Sequence, residues 1–174
     1  MCAAVDVHYL STGGARAAAV LAADAAFAHV LAERAAVLPR VPPCRPGENR
    51  LRELPPLRAV LDDLSGLGLL VPAAMPDLDP SGRPGLGAHA HAGFGIPVIG
   101  VVKSRFRTAT HAVPVVRGSS VRVVRHCGRD APRHAADLVR RMAGRYRQGD
   151  ALRRADTLAR ADPPAATMTG RKPD

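Results

Sequence analysis

Lys103 is the residue of this chain whose type and position point most directly to chemistry. The chain has 25 lysine and arginine residues, and only Lys103 and Lys172 are lysines. Lys103 directly follows the apolar segment GIPVIGVV at residues 95–102. An ammonium group differs from a guanidinium group in hydration, reach and ease of pKa shift, so a lysine there favours a tight polar site. The alternative is a strand that ends in a solvated lysine.

Other polar residues have ordinary structural explanations when each is taken alone. Asp6 lies in the alternating segment VDVHY, which is typical of a short strand, and a solvated strand position explains it. Glu53 precedes a helical pattern, where the helix dipole favours a carboxylate. His89 and His91 are two positions apart and face different sides of a helix, which predicts packing or hydrogen bonding rather than metal binding.

Composition limits the class of protein. A chain of 174 residues is long enough for one domain with its own core. The net charge of +10 favours a polyanion, and the phosphate backbone of a nucleic acid is the usual partner of such a domain. No apolar stretch is long enough to span a membrane, and no signal peptide is recognisable. We therefore expect a cytoplasmic protein without a membrane partner. Cys2, Cys44 and Cys127 predict separate, reduced thiols.

The elements that must position Lys103 alternate between strands and helices. Residues 15–38 are the ambiguous part, because local propensity favours a helix while the pattern also suits two strands of a meander. Four prolines make residues 38–47 an irregular loop. Elsewhere we predict strands at 5–9, 67–71, 96–102 and 113–116, and helices at 57–64, 86–94, 131–144 and 150–161. An α/β domain follows, and its chemistry is expected at the carboxyl ends of central strands, where Lys103 lies.

Three segments, taken in order, resemble the endonuclease V family of DNA-repair nucleases. The first is VDVHY at residues 5–9. The second is PCRPG at 43–47 followed by LRELPPL at 51–57, and the third is GLGAHAH at 85–91 leading into PVIGVVKS at 97–104. The resemblance extends over about residues 5–160.

The resemblance implies a ribonuclease-H-like α/β fold, in which a mixed sheet is flanked by helices. It makes residues 15–38 a strand meander and residues 1–160 one endonuclease V-like domain. The proline and threonine residues of the segment 161–174 predict a disordered tail. The resemblance implies Mg²⁺ as cofactor, with Asp6 and Glu53 as its carboxylate ligands and Lys103 at the phosphate or the attacking water. In such a site Mg²⁺ activates water and stabilises charge on the scissile phosphate.

The same resemblance implies a partner, which is DNA with a deaminated base, or RNA. The family flips the base into a pocket of backbone near glycines, and Gly47, Gly87 and Ala88 occupy the matching positions. Cys44 stands where the family has the tyrosine that stacks into the duplex. A thiol offers little stacking surface.

The chain departs from the family pattern at a second metal ligand. The family has an aspartate at the end of the strand predicted at 67–71, and Ala73 occupies that position here. Alanine cannot coordinate Mg²⁺, and whether Asp77 or Asp79 replaces it is left open. The family also carries an N-terminal helical extension and an apolar strand where residues 121–134 are basic and, we expect, irregular.

The sequence therefore predicts an endonuclease V-like, Mg²⁺-dependent phosphodiesterase for inosine-containing DNA, monomeric and with impaired activity. A catalytically inactive nucleic-acid-binding protein of the same fold is the alternative. An unstable relic without function is the third hypothesis.

Overall fold

The structure is a computed structural model that describes residues 1–45, 48–74, 84–102, 113–117, 120–127, 132–145 and 148–161. Its strands are β1 (Cys2–Tyr9), β2 (Ala15–Ala22), β3 (Val30–Leu38), β4 (Leu69–Pro72), β5 (Val98–Val102), β6 (Val113–Arg117) and β7 (Ser120–Cys127). Its helices are α1 (Asn49–Leu61), α2 (Leu86–Phe94), α3 (Pro132–Arg141) and α4 (Asp150–Arg160).

All of these strands form one mixed sheet with the order β3-β2-β1-β4-β5-β7-β6. Strands β1, β4 and β5 run parallel to one another, whereas β2 is antiparallel to β1, and β7 is antiparallel to both β5 and β6. The carboxyl ends of the three parallel strands therefore meet at one edge of the sheet, where functional groups of α/β proteins collect.

The segment with ambiguous propensity is a strand meander, as the resemblance implied. All eight residues of β2 are buried. Ala17, Ala19 and Leu21 pack into the core on one face of the sheet, and Val20 and Ala22 pack into the core on the other face. A strand covered on both faces gains more from two-sided burial than alanine loses by leaving a helix, so tertiary packing overrides propensity.

Two helix layers close the two faces of the sheet. Helices α1 and α2 cover one face, where Leu57 of α1 is buried against the strands. Helices α3 and α4 cover the other face, where Val139 of α3 and Leu152 of α4 are buried. The apolar stripes of these helices recur every three or four residues, which is the spacing that buries one helical face.

Two predictions about secondary structure are wrong. Residues 120–127 form the regular strand β7 rather than an irregular segment, because β5 and β6 pair with it on both sides and supply its backbone hydrogen bonds. Helix α1 begins at Asn49 rather than at Leu57 and ends at Leu61, although Pro55 and Pro56 lie inside it. Each of these prolines lacks the N–H group that a helix interior uses, which is why the pattern predicted a later start.

The other predicted elements are present with shifts at their ends. Helix α2 has the predicted bounds, and β4 and β5 each begin two residues later than predicted. Residues 39–45 are irregular, as four prolines in the 38–47 segment predict. In the described part of the chain, no helix has both the length and the apolar character that a membrane crossing requires. The tail at 162–174 lies outside the described residues.

Candidate active site

A small cavity lies at the edge of the sheet where β1 and β4 end. Its volume is about 190 Å³. It is open on one side, and its walls come from the two strands and from the helices α1 and α2. The residues that line it are Val5, Asp6, Val7, Tyr9, Glu53, Leu57, Pro72, Ala73, Ala74 and Leu86. The structure therefore brings together three of the predicted site positions, at residues 6, 53 and 73.

Asp6 is held within β1 by the backbone beside it. The N–H of Val7 donates a hydrogen bond of 2.9 Å to its Oδ1. Burial raises the pKa of Asp6 to about 6, the Val7 hydrogen bond opposes this rise, and a hydrogen bond with the carboxyl of Asp156 adds to it. A carboxyl group next to another carboxyl, in a partly buried place, resists ionisation because a second negative charge there is poorly solvated. Such a pair is suited to a cation.

Asp156 is a site residue that the sequence analysis missed. It lies on α4, which packs across β1 and β2, and Arg160 one turn later donates a 2.8 Å hydrogen bond from Nε to its Oδ1. Asp156 is half-buried beside the buried residues Ala155 and Ala159. An acidic residue at the margin of an apolar helical face is the signal that could have identified it.

Glu53 approaches the cavity from the second turn of α1. Burial raises its pKa, and the neighbouring charge of Arg52 opposes the rise. The guanidinium carbon of Arg52 lies 3.8 Å from the ring centroid of Tyr9, a cation–π contact. Burial, followed by the charge of Glu53, raises the pKa of the Tyr9 hydroxyl. The Tyr9–Arg52 contact thus joins β1 to α1 next to Glu53.

Ala73 stands next to Asp6 in the parallel pair of strands. Val5 is in register with Pro72, and the Ala73 N–H donates a 3.1 Å hydrogen bond to the Val5 carbonyl. The side chain at this position borders the cavity but supplies only a methyl group. Within the described ranges, no group of three or more histidine, cysteine, aspartate or glutamate side chains is arranged to hold a metal ion.

The residues predicted to contact the base are more scattered. Cys44 is exposed in the irregular segment that precedes α1 and does not line the cavity. Gly87 is buried and Ala88 is half-buried on α2, whose first residue, Leu86, forms part of the cavity wall. Gly47 lies outside the described residues.

Lys103, Asp77 and Asp79 also lie outside the described residues. Strand β5, which precedes Lys103, ends at Val102 and runs parallel to β4. Its carboxyl end is therefore at the same edge of the sheet as the cavity. The phosphate-contacting role of Lys103 stays a prediction.

Comparison with known proteins gives one likeness in sequence and several in structure. No family model matches the chain. A curated endonuclease V of Azotobacter vinelandii is 36% identical over 110 residues, which are 63% of this chain and 49% of that protein. The chain thus spans about half the length of the curated relative that it matches.

The solved structures that resemble the chain cover more of it. Endonuclease V of Streptomyces avermitilis superposes with a TM-score of 0.71 and 30% identity over 91% of this chain and 79% of that one. An endonuclease V of Ciona intestinalis, solved with a 24mer DNA containing an inosine followed by a ribo-adenosine, has a TM-score of 0.70 and 14% identity over 91% of this chain and 84% of that one. These likenesses confirm the predicted ribonuclease-H-like mixed sheet flanked by helices.

Proposed function

This chain belongs to the endonuclease V family, and we propose that it is a Mg²⁺-dependent phosphodiesterase for inosine-containing DNA with impaired activity. The observation that carries the proposal is the cavity at the ends of β1 and β4, which Asp6 and Glu53 both line. Two carboxylates on separate elements of the fold, at the edge where the parallel strands end, provide the oxygen ligands that a hard cation prefers.

The donor set fits one Mg²⁺ ion. Mg²⁺ is commonly held by one or two carboxylates, and substrate phosphates and waters complete its octahedral shell. Asp6 and Glu53 would hold it, and Asp156 would act through its hydrogen bond to Asp6. When bound, the ion supplies an activated water and neutralises charge on the scissile phosphate.

The chain's own residues prepare the cavity for that chemistry. Val7 fixes one oxygen of Asp6 by its 2.9 Å hydrogen bond. The stacked pair of Tyr9 and Arg52 orients the part of α1 that carries Glu53. Lys103, predicted at the end of β5, would stabilise negative charge on the phosphate.

Ala73 is the reason to expect impaired cleavage. Its methyl group borders the cavity next to Asp6, at the position of a family metal ligand, and gives a cation no oxygen. A cation held by fewer protein carboxylates binds more weakly and is positioned less firmly. We therefore expect a low rate of hydrolysis together with retained affinity for nucleic acid, since the net charge of +10 does not depend on this position.

The substrate in this proposal is inferred from a related protein. Inosine-containing DNA is present in the complex of the Ciona intestinalis enzyme. In this chain Gly47, Gly87 and Ala88 would surround a flipped base, which an enzyme must take out of the stack to read. Cys44, in place of an aromatic wedge, would make that extrusion less efficient. The proposal also includes a monomer that works in the cytoplasm.

The test is a nicking assay with purified protein on a duplex that contains one inosine. We expect slow nicking that needs Mg²⁺, stops with a chelator and disappears in Asp6→Ala. The matched control is Asp137→Asn, an acidic surface residue of α3, which should leave the rate unchanged. Rapid nicking that survives Asp6→Ala would refute the proposed site.

A second candidate function is non-catalytic binding of nucleic acid by the same fold. It is favoured by Ala73 and by the lack of a three-donor cluster within the described ranges. A gel shift with inosine-containing duplex that is insensitive to chelator, without any nicking, would establish this function. A protein without cooperative unfolding would instead support a relic that has no function.

A further inference from the structure

A second concave surface lies on the outer side of the helix pair α1 and α2, which we call the α1–α2 groove. Its volume is about 620 Å³. It shares no lining residue with the cavity that contains Asp6 and Glu53. None of the residues to which the proposed nuclease function gives a role lines this groove.

Two arginines stand at the two ends of the groove. Arg50 and Arg58 are exposed residues of α1, and neither guanidinium group has a hydrogen-bond or ion-pair partner among the described residues. They are eight positions apart, which places them about 12 Å apart along a helix with a rise of 1.5 Å per residue. No acidic residue is among the described residues that line the groove. Its positive charge is therefore unneutralised within this part of the chain.

The floor between the arginines is apolar. Leu51 is 45% exposed, and Leu54, Pro55 and Ala92 continue the surface. Gly93 has no side chain, and the Nη2 atom of Arg58 lies 3.5 Å from the place where a Cβ would be. The Arg58 guanidinium group therefore extends from α1 to α2 at Gly93.

His89 completes the wall on the α2 side. Partial burial, followed by the charge of Arg50, lowers its pKa. The imidazole is therefore neutral at pH 7, and the two guanidinium groups are the cationic ends of the groove.

An apolar floor with a cation at each end is complementary to an amphipathic helix that carries two carboxylates around an apolar stripe. Carboxylates eight positions apart on such a helix are also about 12 Å apart. A nucleic acid strand is a poorer fit, because base stacking relies mainly on phenylalanine, tyrosine and tryptophan, and none of these is among the described lining residues, where His89 is the one aromatic ring. We propose that the α1–α2 groove docks an acidic amphipathic helix of a partner protein through Arg50, Arg58 and the leucines between them.

The test measures binding of a fluorescein-labelled helical peptide by anisotropy. The probe has about 16 residues, with a leucine stripe between two glutamates eight positions apart, and its matched peptide has glutamine at both positions. The variants are the double substitution Arg50→Gln/Arg58→Gln and, as a control of equal charge, Arg133→Gln/Arg145→Gln on the opposite side of the sheet. All four arginines are exposed, so folding should be retained, and thermal melts verify this.

We expect the glutamate peptide to bind with a dissociation constant of roughly 50 µM. The glutamine peptide and the Arg50→Gln/Arg58→Gln variant should each weaken binding at least about fivefold, as expected when exposed charge pairs are lost. Arg133→Gln/Arg145→Gln should leave the affinity within about twofold. Equal affinity for both peptides, or equal losses in the two double variants, would overturn the proposal.

A parallel titration with an oligonucleotide tests whether the groove binds nucleic acid instead of a helix. If Arg50→Gln/Arg58→Gln weakens only oligonucleotide binding and the peptide does not bind, the groove is part of the nucleic-acid surface and the proposal is wrong. Failure of the nicking assay has no bearing on this result, because the peptide assay needs neither Mg²⁺ nor a cleavable substrate.

Discussion

Asp6 of β1 and Ala73, which directly follows β4, are neighbours at one edge of the sheet, yet they differ in chemistry. Asp6 is surrounded by polar partners: the Val7 N–H, Asp156 and, through Asp156, Arg160. At the end of β4, Ala73 offers a backbone N–H to β1 and a methyl group to the cavity. Backbone pairing joins the two segments, whereas only the β1 side has a carboxylate at this place.

The difference shows that the fold does not need the carboxylates that a metal needs. The strands pair through backbone hydrogen bonds and buried aliphatic side chains, which an alanine at the β4 end leaves intact. A partly buried carboxyl, in contrast, raises the free energy of the folded state when no cation is bound. Residues that serve a site often weaken the fold that carries them, so an alanine can replace one without loss of structure.

The largest effect on stability should come from the wall of the cavity rather than from its polar groups. Leu57 is 1% exposed and packs into the core beneath α1. Leu57→Ala should lower the free energy of unfolding by about 2–4 kcal/mol, because it removes buried methyl groups and leaves a void. Urea denaturation measures this. The exposed Leu51 of the same helix is the matched control. An equally large loss in Leu51→Ala would show that burial of Leu57 is not the cause of the effect.

Asp6→Asn should raise the free energy of unfolding, whereas Leu57→Ala should lower it. The pKa of Asp6 is raised from 3.8 to about 6 in the folded protein, so ionisation costs up to about 3 kcal/mol there at 1.36 kcal/mol per pKa unit. Asparagine can still accept the Val7 hydrogen bond and has no charge to bury. We therefore expect Asp6→Asn to raise the free energy of unfolding by about 1–3 kcal/mol at pH 7.5 without metal.

The pH dependence provides the check on this prediction. A carboxyl with a raised folded pKa stabilises the fold below the unfolded pKa, and that contribution is lost as pH rises through about 6. The gain of Asp6→Asn should therefore be near zero at pH 3.5, grow between pH 4 and 6, and stay constant above. Asp137→Asn should show no such growth. A gain that does not vary with pH would rule out burial of Asp6 as its cause.

The smallest effect should come from Arg160. Its ion pair with Asp156 is exposed to solvent, so Arg160→Gln should cost only about 0.5 kcal/mol or less. The more sensitive readout is the titration of Asp6 by NMR, because the charge of Arg160 lowers the Asp6 pKa. We expect that pKa to rise in Arg160→Gln and to stay unchanged in Arg140→Gln on α3. An unchanged Asp6 titration would show that α4 is not part of the site.

The sequence predicted the fold well where the family resemblance and the spacing of apolar residues pointed to the same element. The order of elements, the meander at 15–38 and the bounds of α2 follow from the resemblance and from apolar spacing. Strand β7 was predicted as irregular because its residues are basic. Its pairing with β5 and β6 is a property of the whole sheet, which local composition does not record.

Part of the cavity lining was predictable from the sequence, and the roles of those residues stay predictions. Asp6, Glu53 and Ala73 lie in segments that resemble a family, so their meeting in one cavity could be expected. Asp156 lies about 150 positions along the chain from Asp6, and only the packing of α4 on β1 brings them together. The one local signal is its position at the margin of the apolar face of α4, beside Ala155 and Ala159.

The most direct measurement of the central claim is the rate at which Ala73→Asp nicks an inosine-containing duplex in Mg²⁺, compared with the unsubstituted protein and with Asp6→Asn/Ala73→Asp. Restoring an oxygen ligand should raise the rate at least about 100-fold, since a properly held metal lowers the barrier by several kcal/mol and each 1.36 kcal/mol is tenfold. The double variant should lose this gain. Rapid nicking by the unsubstituted protein, with no further increase in Ala73→Asp, would contradict the claim that Ala73 limits the site.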